Sequence, residues 1–185
     1  MACTKAVTQA ITNDCASMPA SGLKVKAWIF NRADIDSITH DGSNNLLVTA
    51  ITMTGATSAF AVTVSKREMN AGYDAVIADN MPDVYTNYWS IEPWAKDSDS
   101  LKQLSEMNDV MLIVETNGPK AEGVFEAYGL ENGLWKSSAS KRANDNRGVP
   151  TFEFTSQAGQ EESVPNYVFW ATDYATTLAA LEALE

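Results

Sequence analysis

The chain has 185 residues, a length that fits one domain better than two, and we predict a single domain over 1–185. Hydrophobic residues make up 45% of it, enough to bury a core without disulfide or metal staples. Acidic residues outnumber basic ones 24 to 13, for a net charge of −11, which argues against a protein that grips DNA along its phosphates. No apolar stretch approaches the roughly 18 residues of a membrane helix. The segment Met1 to Pro19 lacks the basic start and apolar run of a signal peptide, so an unprocessed protein made in a cytoplasm is expected.

The first third of the chain is typical of an N-terminal arm followed by strands. Residues 1–22 mix small and polar side chains and are predicted to form the arm. Val25 to Phe30 is rich in β-formers and predicts the first strand. The Asp-Gly signal in His40 to Asn45 indicates a turn that opens a hairpin-like pair, with arms at Leu46 to Thr54 and Phe60 to Ser65. In the second arm Phe60, Val62 and Val64 point to one side, which predicts one buried face.

Residues 66–90 are less regular. The segment includes Tyr85, Tyr88 and Trp89, and either partial helix or a long excursion with exposed aromatic rings fits it. Long loops are uncommon in compact domains and often have a function, so we predict a contact surface here.

The middle of the chain predicts a short helix and a buried strand. Asp97 to Ser100 offers helix-capping side chains ahead of an apolar stripe formed by Leu101, Leu104 and Met107. The apolar run Val110 to Val114 predicts a strand covered on both faces, or in part by that helix.

The last third predicts further strands and one helix. An Asn-Gly turn at Asn132-Gly133 is expected to join two strands into a hairpin. The predicted strands are Gly123 to Gly129, Leu134 to Ser138, Thr151 to Thr155 and Asn166 to Trp170. Residues 172–185, with Thr172 as N-cap, place Tyr174 and the leucines after it on one helical stripe.

These elements predict a mainly β (α+β) fold. About seven strands in runs joined by tight turns, with one or two short flanking helices, disfavour a parallel sheet with crossover helices. Two packed antiparallel sheets or a squat barrel fit best.

The chain offers no pattern typical of catalysis or of cofactor binding. Its one histidine, His40, lies in the predicted turn, and no phosphate loop, nucleophile elbow or dinucleotide turn is present. Cys3 and Cys15 match no zinc or redox spacing, and we expect reduced thiols. We therefore predict no enzyme, no cofactor and no metal. A glycosidase-like carboxylate pair remains the least supported alternative, because no spacing singles out a pair.

Aromatic and basic side chains are the candidates for contacts between subunits. Trp28 and Trp170 lie in apolar strands and are predicted to be core, whereas Trp89 and Trp94 fit core and interface equally well. Residues 136–148 carry basic side chains in an acidic chain and predict either a solvated loop or an arm that docks on an acidic neighbour. The predicted interface residues are Trp89, Trp94, Tyr85, Tyr88, Lys141, Arg142 and Arg147.

Three segments resemble virion proteins of phages that infect Bacteroides-type gut bacteria, including crAss-like phages. They are Gly22 to Asp34, Ala127 to Lys136 and Phe152 to Glu162. Among tailed phages, a β-rich domain of this size with a flanking helix resembles the tail-tube fold, in which two packed sheets carry a helix outside.

The resemblance implies a tail-tube or tail-ring subunit that assembles with copies of itself, as a hexamer or a larger ring, and with other tail and neck proteins. It implies assembly in the bacterial host's cytoplasm, a place in the virion tail, and a lumen through which DNA passes without specific binding. The segment 66–90 would then match the long loop that stacks rings. A capsid decoration or surface-binding module remains the alternative.

Overall fold

The computed structural model describes residues 21–64, 68–77, 82–94, 97–144 and 148–185. The predicted arm at 1–22, except for its last two residues, lies outside this range, as do Cys3 and Cys15. Within the described ranges there are eleven strands and two α-helices. The strands are β1 (Leu23–Asn31), β2 (Ile35–His40), β3 (Leu47–Met53), β4 (Phe60–Thr63), β5 (Met69–Val76), β6 (Val84–Ile91), β7 (Val110–Thr116), β8 (Phe125–Tyr128), β9 (Trp135–Ser140), β10 (Thr151–Thr155) and β11 (Tyr167–Phe169). The helices are α1 (Ser98–Glu106) and α2 (Tyr174–Glu182).

The strands form two sheets. The larger has seven strands in the order β2-β3-β11-β8-β7-β1-β4, and the smaller has four in the order β5-β6-β10-β9. Every neighbouring pair is antiparallel except β3 and β11, which run parallel. Neither sheet closes on itself, so the predicted packed-sheet fold is confirmed and its barrel version is wrong.

Two apolar layers hold the sheets and α2 together. The first lies between the sheets, where Trp89 of β6 stacks on Phe154 of β10 with ring centroids 4.9 Å apart. The second lies between the larger sheet and α2, and it includes Trp28 and Leu181. The molecule is therefore a sandwich of two sheets with a helix packed on the outer face of the larger one.

Strand β7 belongs to both layers. Leu112 and Val114 face the smaller sheet, while Met111 and Ile113 face α2, and all four are fully buried. The prediction of a strand covered on both faces is confirmed. The continuous apolar run follows from this position, because a central strand with two covered faces has no side for polar residues.

Both predicted helices are present, with one correction at a cap. In α1 the carboxylate of Asp97 accepts the N–H of Ser100 at 2.8 Å, as expected for an N-cap. In α2 the cap is Asp173 rather than Thr172, because the Asp173 carboxylate accepts the N–H of Thr176 at 2.9 Å. The predicted stripe packs on the larger sheet, with Leu181 buried at its centre.

Both predicted hairpin pairings are wrong. The His40–Asn45 turn joins β2 to β3, whereas β3 and β4 lie apart in the larger sheet and β4 pairs with β1 at its edge. The turn at Asn132-Gly133 joins β8 of one sheet to β9 of the other. The connection from β3 to β4 over 54–59 and the Asn132-Gly133 turn each join strands that do not pair, because burying apolar faces on the two layers stabilises the fold more than a local pairing would.

The predicted excursion at 66–90 is instead a hairpin. Strands β5 and β6 pair along eight rows, from Met69 opposite Ile91 to Val76 opposite Val84. Alternation is visible in β6, where Asn87, Trp89 and Ile91 are buried. A polar residue, Asn87, occupies one of these buried positions, which hid that period.

Replacing Phe154 with alanine should destabilise the fold by about 3–5 kcal/mol, because a buried ring leaves a cavity beside Trp89. The control is Phe60→Ala, which removes a ring that is 54% exposed and should cost less than about 1 kcal/mol. Chemical denaturation monitored by circular dichroism measures both changes. Equal losses in the two variants would contradict the proposed inter-sheet core.

Candidate assembly surfaces

The structure separates Trp89 from Trp94, although the sequence fitted both to core and interface equally well: one is buried and the other is exposed. Trp89 is fully buried in the inter-sheet layer, so it is a core residue and the interface role predicted for it is wrong. Trp94 follows the end of β6 and is 56% exposed. Pro93 and Trp94 form one wall of a groove, and only the second tryptophan stays a candidate for contact with another molecule.

The β4–α1 groove lies along the β4 edge of the larger sheet. Strand β4, helix α1 and the Pro93–Trp94 segment line it, and its volume is about 710 Å³. Its apolar lining includes Phe60, Leu104 and Met107. The sequence placed Phe60 on a buried face with Val62 and Val64, but its ring is exposed at the mouth of this groove.

The β5–β6 hairpin extends beyond the rest of the smaller sheet. Thr155, the last residue of β10, pairs with Tyr88, which pairs with Gly72. Beyond that row four further rows join β5 to β6, which amounts to about 13 Å at 3.3 Å per residue, and on the other side of β6 only single residues, Ser156 and Glu162, bond to it there. Every residue from Tyr73 to Ile77 is exposed, so this part of β5 is covered on neither face.

We call Tyr73, Val76 and Ile77 the hairpin tip, and Ile77 is the most exposed of the three at 78%. Two predicted interface residues support this part of the hairpin. Tyr85 packs edge-on against Tyr73 with centroids 5.7 Å apart. The Tyr88 ring crosses Gly72 so closely that a Cβ there would lie 2.6 Å from the Tyr88 hydroxyl. Sequence reasoning missed the tip, although the run Ala75-Val76-Ile77 breaks the alternation that a half-buried strand should show.

The predicted basic residues lie at the end of β9. Lys141 and Arg142 are exposed just after the strand, while Arg147 lies outside the described residues. Lys136, at the start of β9, donates to the backbone carbonyl of Ser105 at the end of α1. The basic segment is thus partly a strand and not wholly a solvated loop.

The smaller sheet has two open edges. Within the described residues β5 pairs with β6 alone and β9 pairs with β10 alone. Ser137 to Ser140 of β9 are exposed and have small side chains. An edge with unpaired backbone groups and little side-chain bulk is a ready template for a strand from another molecule.

A carboxylate cluster holds the hairpin near its outer end, at Tyr85. Glu162 is 1% exposed, and its carboxylate accepts the N–H groups of Glu131 and Asn132, each at 2.9 Å. Glu162 also exchanges two backbone hydrogen bonds with Tyr85 of the hairpin. In return the Glu131 carboxylate accepts from Ser163 and, at 2.6 Å, from the Tyr167 hydroxyl.

The pKa values of the two carboxylates in this cluster are shifted in opposite directions. Burial raises the pKa of Glu162, and its two backbone donors oppose that rise without cancelling it. Burial would also raise the pKa of Glu131, but the hydrogen bonds from Ser163 and Tyr167 outweigh it and lower that pKa. Their hydrogen bonds connect protein segments, which is the pattern of a structural clamp.

Within the described ranges, no group of three or more histidine, cysteine, aspartate or glutamate side chains could hold a metal ion. None of the helices described there is long and apolar enough to cross a membrane. His40 lies in its turn with Nδ1 2.7 Å from the carbonyl oxygen of Asn45.

Comparison with known proteins assigns no family to the chain. No protein-family model, curated protein or solved structure matches the chain.

The Glu131 clamp should make stability depend on pH. Because the folded pKa of Glu131 is lowered, its stabilisation is present above its ordinary pKa of 4.5 and is lost as the pH falls through the folded value. The melting temperature of Glu131→Gln should therefore lie below that of the wild type at neutral pH, and the gap should narrow below pH 4.5. The control is Glu153→Gln, which changes an exposed carboxylate. A difference in melting temperature between the wild type and Glu131→Gln that does not change with pH would contradict the clamp.

Proposed function

We propose that the chain is a structural subunit of a bacteriophage tail, a tail-tube or tail-ring protein that assembles with copies of itself around a DNA conduit. The single observation that carries the proposal is the smaller sheet, whose edge strands β5 and β9 run in opposite directions and, among the described residues, each pair on one side only. The sandwich with an outer helix, as the sequence resemblance implies for this class, supports it.

The direction of the edge strands suits closure into a ring. Each neighbouring pair in the order β5-β6-β10-β9 is antiparallel, so four strands leave β5 and β9 antiparallel to each other. A copy rotated about an axis along the strands would place its β5 beside β9 of the first with antiparallel polarity. Repeating that heterologous contact yields a ring if the rotation closes.

The composition of the edges supports the same arrangement. The small side chains of Ser137 to Ser140 leave the backbone of β9 open to approach. Lys141 and Arg142 extend beyond the strand end in a molecule of charge −11, and attraction to an acidic neighbour would orient the approach. Each contact is modest, but closure of a ring makes modest contacts cooperative.

The net charge suits the proposed conduit. A surface past which DNA slides must not bind phosphates tightly, and an acidic subunit repels them. Assembly in the host cytoplasm and contacts with other tail and neck proteins belong to the same proposal.

A second candidate is a capsid decoration or surface-binding module. The exposed Trp94 and Phe60 at the β4–α1 groove favour it, since aromatic rings at a β-sheet edge can contact a capsid surface or a glycan. Such a module would bind preformed capsids or glycans as a monomer and would not form rings.

Negative-stain electron microscopy over a protein concentration series tests the first candidate. Rings or short tubes with a central hole are expected, and their symmetry should be sixfold or higher. A monomer at every concentration that binds capsids or a glycan would instead support the decoration module.

A pair of proline variants tests the edge contact. Along an antiparallel strand successive N–H groups point to opposite sides, so Ser138 and Ala139 donate one toward β10 and one outward. The proline variant that loses an outward N–H should keep the wild-type melting temperature but form no rings, because proline blocks strand pairing. The variant that loses the N–H directed toward β10 should melt at a lower temperature, because a hydrogen bond within the sheet is lost. Rings from the variant with the unchanged melting temperature would contradict edge-to-edge assembly.

A further inference from the structure

Strand β4 lies at the edge of the larger sheet and lends its main chain to the β4–α1 groove. Among the described residues it pairs with β1 alone. Every residue from Ala59 to Thr63 lines the groove, although successive side chains of a strand point to opposite faces of its sheet. The groove therefore runs along the edge of the strand and not over one of its faces.

One hydrogen bond fixes which main-chain groups of β4 point into the groove. The N–H of Val64, the residue after β4, donates to the carbonyl of Val25 at 2.9 Å, so it points toward β1. Along an antiparallel strand these groups alternate in direction. The N–H and C=O groups of Ala61 and Thr63 consequently point away from β1, into the groove, and the small side chains of both residues are exposed.

One face of α1 forms the opposite wall of the groove. The lining residues on that side are spaced by three or four along the chain, as on a single helical stripe, and they are Ser100, Gln103, Leu104 and Met107. This stripe spans about 11 Å at 1.5 Å per residue, and β4 spans about 13 Å at 3.3 Å per residue. The two walls thus match in length, and an extended segment of about four residues would span both.

The side chains around the groove indicate the chemistry of its occupant. Phe60 and Trp94 line it and are 54% and 56% exposed, so they offer contacts to apolar side chains. Glu106 is the one charged side chain among the described lining residues, and it is exposed. A basic group on the occupant would be attracted to this carboxylate, and an acidic group would be repelled.

Main-chain hydrogen bonds supply what the apolar area of the groove lacks. An aromatic side chain presents about 150–250 Å², so the exposed parts of Phe60 and Trp94 offer on the order of 200 Å². Two folded proteins in a stable complex bury about 800 Å² each. A peptide that adds to a strand edge gains affinity from its backbone hydrogen bonds and specificity from alternate side chains. The net charge of −11 further disfavours a second copy beside Glu106.

We infer that the β4–α1 groove binds an extended peptide segment of another protein as an additional strand beside β4. The main chain of this segment bonds to Ala61 and Thr63. Its alternate apolar side chains contact Phe60 and Trp94, and a basic residue lies near Glu106. The inference does not depend on ring assembly, because it uses the edge of the larger sheet and not the edges of the smaller one.

Fluorescence anisotropy with synthetic peptides tests this inference. The probes are fluorescein-labelled peptides of seven residues in which valine, isoleucine or phenylalanine alternates with threonine, each made with a terminal lysine or a terminal glutamate. Saturable binding is expected within the lysine series, and binding about threefold weaker is expected for the glutamate counterparts. Absence of saturable binding throughout the lysine series would overturn the inference.

A proline variant separates strand addition from contact through side chains alone. Ala61→Pro removes an N–H that points into the groove, so it should keep the wild-type melting temperature and bind the peptides about tenfold more weakly. The matched control is the proline variant at Ser138 or Ala139 that loses an outward N–H of β9, and it should bind as the wild type does. Equal affinity of Ala61→Pro and the wild type would contradict strand addition. Loss of binding in the β9 variant alone would overturn the inference in favour of the smaller sheet.

Two side-chain variants give readouts that do not depend on the folding of Ala61→Pro. Trp94→Ala should weaken peptide binding by about tenfold, because it removes an exposed aromatic contact. Glu106→Gln should abolish the preference for lysine over glutamate and keep the wild-type melting temperature, since Glu106 is exposed. A preference for lysine that survives in Glu106→Gln would overturn the position assigned to the basic residue. Binding of glycans in place of peptides, lost in Trp94→Ala, would overturn the inference in favour of a carbohydrate site.

Discussion

The stacking of Trp89 on Phe154 between the sheets is the contact on which the rest of the structure depends. It joins β6 and β10 at the centre of the smaller sheet and presses them onto the buried face of β7. With that layer fixed, the hairpin can extend past the sheet and still have a rigid base. In the described part of the chain β5 and β9 each pair on one side only, so the smaller sheet is held chiefly by the burial of its inner face.

The edge of the smaller sheet is the surface proposed for assembly, and its physical character sets what it could do. A contact between β9 of one copy and β5 of the next would use backbone hydrogen bonds and opposite charge, which fix direction and register. The exposed apolar side chains of the hairpin tip and of the β4–α1 groove lie away from the β9 edge.

Several predicted interface residues turned out to support the fold or the hairpin. Trp89 is core, and Tyr88 covers Gly72, so neither can be read as a free aromatic anchor. The carboxylate clamp of Glu131 and Glu162 had no sequence signal, since its partners are backbone N–H groups and hydroxyls brought together from two turns. Acidic residues are common in this chain, and nothing local to Glu131 or Glu162 marks these two as members of the clamp.

The sequence by itself determined the β-rich class, the two helices and the buried strand β7, because alternation, capping residues and apolar runs are local signals. Only the tertiary structure decided which strands pair. The Asn132-Gly133 turn looks like a hairpin turn, yet it sends β8 and β9 to different sheets. The tertiary structure also decided that Phe60 is exposed, whereas its alternation with Val62 and Val64 predicted a buried side chain. Pairing and exposure depend on which distant segments cover a strand, and that information is not local to it.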